Sequence, residues 1–166
     1  MLRKALLDGL KTGLALAATT TMAIMLFGKR EKGSPWAAIN VVTHLVDGDL
    51  RLFPRAFSPR DSTLGLALNG AAMVTWGLLY EGALALTGAR SNLATAGLAT
   101  AAIWTIDYHL LPPRLSPGLD RVLGLGSVIG TYAVMGATLA ASRTWHTPPL
   151  RLAAPLDETR EEAWFV

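Results

Sequence analysis

Residues 36–49 read WAAINVVTHLVDGD, a short segment set between two long apolar ones. It carries Asn40, His44, Asp47 and Asp49 within ten residues. Pro35 suits the first position of a helix with Ser34 as its N-cap, and Gly48 suits the end. The spacing predicts one helix over about 35–47. That is too short for the roughly 20 residues a bilayer demands, so the segment is expected to lie at the interface or to dip in and return. On a helix, Asn40, His44 and Asp47 share one face, while Ile39, Val42 and Val46 line much of the other.

The flanks decide the class. The chain has 166 residues, of which 51% are hydrophobic and 16% charged. A soluble domain carries about 25% charge. The apolar residues come in long runs, which points to one integral membrane domain of α-helices. Four spans are expected, at about 5–28, 62–87, 91–111 and 119–142, followed by an extended polar tail over 143–166. The head MLRKA and the run behind it resemble a signal peptide, but the rest of the chain is also apolar, so an uncleaved first span is expected. Asp8 and Lys11 lie a turn apart near its entrance, within reach of headgroups. Arg51, Arg55 and Arg60, interleaved with Phe53 and Phe57, suit a loop resting on headgroups. Asp61 can cap the second span, along which Asn69, Met73, Trp76 and Tyr80 form a stripe. Pro112-Pro113 stops the third. The fourth carries Gly126-x-x-x-Gly130 and then Ala133-x-x-x-Ala137, a spacing that lets helix backbones approach closely.

Four spans put both termini on one side. Seven lysines and arginines then fall on the side of the termini and eight on the other, so the positive-inside rule does not choose an orientation. The absence of cysteine excludes disulfides and thiolate chemistry. The net charge of +3 sits beside the apolar runs, where membrane proteins place it, and no nucleic acid partner is expected. The lipid bilayer is the expected partner, with a homo-oligomer or a membrane-protein partner as candidates.

The same topology brings the first and third loops to one face. Asn40, His44, Asp49, Asn69, Asp107, Tyr108 and Arg114 therefore form a candidate polar cluster. His44, Asp49 and Asp107 are the candidate metal ligands within it. Polar groups at membrane depth are costly and need a partner or a role. A His44–carboxylate pair suits a proton relay or a metal, while interfacial solvation is the plainer reading. Asn69 suits interhelical bonding, Trp76, Tyr80 and Trp104 suit packing, and Glu81 suits solvent near the far headgroups. Gly-x-Ser-x-Gly, His-Glu-x-x-His and a phosphate-binding glycine loop are all absent. His44 and His109 share a face, but nothing else supports a haem, and no cofactor is expected.

The run Ile39-Asn40-x-x-x-His44-x-x-x-Gly48-Asp49 joins Asp107-Tyr108-x-x-x-Pro112-x-Arg114-Leu115-x-Pro117-Gly118. Together these resemble a family of small, uncharacterised bacterial inner-membrane proteins with four helices. The resemblance runs from about Trp36 to Tyr132, with matching polar positions at Asn40, His44, Asp49, Thr63, Asn69, Trp76, Asp107, Tyr108 and Arg114. It departs at Asp47, where the family places an aromatic residue, and so shifts weight to Asp49. It implies the topology and the surface cluster but no activity. The expected function is a non-enzymatic accessory, assembly or structural membrane component. The rival is a membrane-embedded enzyme or a proton- or ion-coupled carrier using the His/Asp/Asn cluster.

Overall fold

A computed structural model describes residues 2–48 and 52–144. The described residues are helical and contain no strand: α1 (Leu2–Lys32), α2 (Ala37–Val41), α3 (His44–Asp47), α4 (Pro59–Thr87), α5 (Leu93–Thr105) and α6 (Leu125–Ala141). A π turn, Ile106–Leu110, extends α5, and 3-10 turns cover Leu119–Arg121 and Ser142–Thr144. Three helices are long and apolar enough to cross a membrane: α1, α4, and α6 with its trailing turn.

α1 is the centre of the arrangement. It packs along α4 on one side and α6 on another, while α5 packs on α6 and makes little contact with α4. The α1–α4 seam is built from glycine. A Cβ on Gly13 would sit 2.6 Å from the Cα of Val74, and one on Gly77 would collide with the Gly13 backbone. Small residues here let two backbones touch, which maximises dispersion contact between the helices. Gly9-x-x-x-Gly13 is thus the close-approach motif. In α6 only part of the expected stripe packs within the chain. Gly130 meets the Phe27 ring, Gly126 has no neighbour within 4 Å of an added Cβ, and Ala133 and Ala137 are exposed.

Hydrogen bonds staple the seams. Asn69 Nδ2 donates to Thr21 Oγ1 at 2.9 Å between α4 and α1. Thr12 Oγ1 donates to Glu81 Oε1 at 2.9 Å, so Glu81 is buried in the α1–α4 seam and not solvated. Thr19 and Thr138 share a bond of 2.9 Å between α1 and α6. Asp8 is buried and accepts from Lys4, one turn back. Tyr80 donates to Ser91, which donates to the Leu139 carbonyl and ties the α4–α5 connection to the end of α6.

Several boundaries differ from expectation. α1 starts and ends beyond 5–28, because its polar ends still make intrahelical bonds. α4 begins at Pro59 with Ser58 as N-cap. Ser58 Oγ accepts from the Asp61 N–H, while Asp61 sits in the first turn, where a carboxylate favours the helix dipole. α5 is capped by a reciprocal Asn92–Thr95 box. The expected last span is interrupted over 122–124. α6 starts afresh after its N-cap Gly124, where the Glu31 carboxylate accepts from the Gly124 N–H at 2.7 Å and from Ser127 Oγ. An anion at a helix N-terminus satisfies its free donors, and this one joins the end of α1 to the start of α6.

The helix expected over 35–47 is broken in two. Val42 and Thr43 turn back to the carbonyls three residues earlier, and Thr43 Oγ1 also donates to the Asn40 carbonyl at 2.8 Å. Those bonds tighten the chain and end α2. Trp36 is the N-cap, without a side-chain bond, while Gly48 (φ +81°) ends α3 as expected. Residues 37–44 are all buried, so the segment is a plug inside one end of the bundle and has no free polar face. Val46, expected on its apolar side, is 54% exposed.

Candidate functional site

The first and third connections do meet at one end of the bundle. Gly118 (φ +69°) lies so close to His44 that an added Cβ would be 2.6 Å from its Cε1. The residues expected to cluster there are nonetheless bonded separately. Asn40 is fully buried and braces the 52–58 loop. Its Nδ2 donates to the Pro54 and Ala56 carbonyls at 2.7 and 2.9 Å, and its Oδ1 accepts from Ser62 Oγ at 2.8 Å. Asp47 takes a two-pronged bond from Arg60 at 2.7 and 2.8 Å, pinning α3 to the start of α4.

His44 is fully buried, and its Nδ1 lies 2.8 Å from the Val41 carbonyl. A carbonyl only accepts, which assigns a ring proton to Nδ1. Nε2 then has no hydrogen-bond partner among the described residues. Asp107 bonds instead to α6, where Tyr132 OH donates to Oδ2 at 2.5 Å. The Tyr132 ring packs with those of Trp104 and Tyr108, with centroids 4.9 to 6.0 Å apart. The Tyr108 hydroxyl is also buried without a partner among the described residues. Arg114 and His109 are exposed. Asp49, like His146, lies outside the described residues.

No hydrogen bond joins His44 to Asp107, and no group of three or more His, Asp or Glu residues suited to a metal occurs among the described residues. What does connect the region is a cavity of about 250 Å³ between α3, α4, the π turn and the 115–119 loop. Asn69, Trp76 and Asp107 lie on its wall among apolar side chains, while His44 does not reach it. Sequence reading placed Asn69 and Asp107 at one end but missed the gap between α4 and α5 that makes the cavity. That gap depends on which helices pack together, and no local pattern encodes it.

No family model, no curated protein and no solved structure matches this chain.

Proposed function

We propose that this chain is a small multi-pass protein of the bacterial inner membrane, acting as a non-enzymatic accessory, assembly or structural component. In this reading α5 with its π turn is a fourth span, so both termini lie on one side. The likeness of the Asn40–Asp49 and Asp107–Gly118 runs to four-helix inner-membrane proteins agrees with it. The observation that carries the reading is the use made of the buried polar residues. Asn40 holds a loop, Asn69 joins α4 to α1, and Asp107 joins α5 to α6. An enzyme or coupled carrier needs such groups converging on one reacting position.

Complementation of a deletion strain tests the reading. His44→Gln variants that keep the wild-type melting temperature should restore whatever the deletion loses. Folded variants that fail to restore it would favour the enzyme or carrier.

A further inference from the structure

We propose that the cavity between α4 and the end of α5 binds a primary ammonium carried on an apolar chain. The inference rests on the membrane reading above. Asp107 is 6% exposed and Asn69 8%, so both are more than nine-tenths buried, and both lie on the cavity wall. Asp107 Oδ2 is taken by Tyr132. Its Oδ1 has no hydrogen-bond partner among the described residues, yet it is not sealed off as His44 Nε2 and Tyr108 OH are. The Asn69 carbonyl oxygen is in the same condition, since only Nδ2 of that side chain is engaged. Both side chains thus line one small cavity, and each keeps an oxygen that no donor engages among the described residues.

No cation pairs with Asp107 among the described residues. A buried carboxylate with a single donor is costly, and a cation with further protons to give offsets that cost. An ammonium has three such protons, enough for Asp107 and Asn69 together. Trp76, also on the wall, offers a ring of the kind that attracts cations.

The remaining wall specifies the chain. Val42, Leu45, Leu68, Leu111, Leu115 and Leu119 are apolar. At about 30 Å³ for each water-sized group, the cavity takes a head and the first several carbons. It opens sideways. α4 and α5 make little contact, and the wall residues Ala72, Thr75 and Leu115 are exposed. A longer chain therefore leaves through the cleft into the surrounding lipid. The ammonium can come from an aminophospholipid headgroup or from a free alkylamine.

Melting of the full chain in phosphatidylcholine nanodiscs tests this. Dodecylammonium should raise the melting temperature by roughly 5 °C once present at roughly 100 times its Kd. Dodecanol and dodecyltrimethylammonium, which lack the charge or the protons, should bind at least about tenfold more weakly. Asp107→Asn, which keeps the shape and an acceptor for Tyr132, should lose the preference for the primary ammonium. Asn69→Asp, which adds negative charge to the wall, should keep it. In nanodiscs containing phosphatidylethanolamine, loss of the dodecylammonium response identifies the headgroup as the source, and a retained response identifies the free amine. Equal responses to all three amphiphiles, or an Asp107→Asn variant with wild-type preference, would overturn the assignment. A chain that stays soluble without detergent would overturn the membrane reading itself, whereas an embedded chain blind to ammonium would overturn the site alone.

Discussion

Asn40 shows how much a single side chain can hold at this end of the bundle. It makes three hydrogen bonds from a position with no exposure, to two carbonyls of the 52–58 loop and to Ser62. Asn40→Leu strands both carbonyls and a hydroxyl, and each buried orphan costs on the order of 1–3 kcal/mol. Part of that is relieved by loop movement, so we expect a loss of about 3 kcal/mol, read as a lower melting temperature in detergent. An unchanged melt would mean that the loop is held by other contacts. Gly118 is the complementary case. Its φ of +69° disfavours any side chain, and a methyl group there would strike the His44 ring. Gly118→Ala should cost about 2 kcal/mol or more. The same variant should also disturb the His44 environment, visible as a shifted imidazole signal by NMR. A variant with a wild-type melt and an unmoved imidazole signal would separate the third connection from the plug.

Among the helices, glycine divides into positions that face a backbone and positions that face nothing. Gly77 meets Gly13 backbone to backbone, and neither side has a flexible end to move aside. Gly77→Ala should push α4 off α1 and lower stability by about 2–4 kcal/mol, in the range of overpacked cores. Gly126 has open space around it. Gly126→Ala should be neutral or stabilising by up to about 1 kcal/mol, since alanine is the better helix former. Paired melts of the two variants check both statements, and equal losses would contradict the assignment of the seam to α1 and α4. The spacing Gly126-x-x-x-Gly130 marks α6, yet the backbone-to-backbone contact of this bundle lies at Gly13 and Gly77, for a physical reason. Small residues permit close approach, but they do not say which helix will approach.

For the arrangement of the helices as a set, length and apolarity set how many of them can cross a bilayer. α1, α4 and the α6 segment have the length and the apolarity. α5 alone has 13 residues, and its π turn adds 5 more. Reporter fusions at Met1 and Val166 decide the matter. Four crossings should place both reporters in one compartment, and three should place them in opposite ones. The π turn also carries the site, because Asp107 lies within it, accepts from Tyr132 on α6 and lines the cavity.

Read alone, the chain already specifies long apolar helices, the glycine and proline stops between them, and a polar segment too short to span. These properties follow from composition and local chemistry: apolar run length, the missing N–H of Pro112 and Pro113, and the permissive backbone of Gly48. It also specifies that Asn40, His44, Asn69 and Asp107 share one end, because alternating helix directions bring odd-numbered connections together. Tertiary structure decided their partners. Asp107 binds Tyr132 instead of His44, Asn69 binds Thr21, and Glu81 lies against Thr12 instead of in solvent. Each of those pairs spans from 25 to 69 residues of chain. Which of them forms depends on how the helices are rotated and spaced, and contacts such as Gly13 on Gly77 determine both at a distance no sequence window contains.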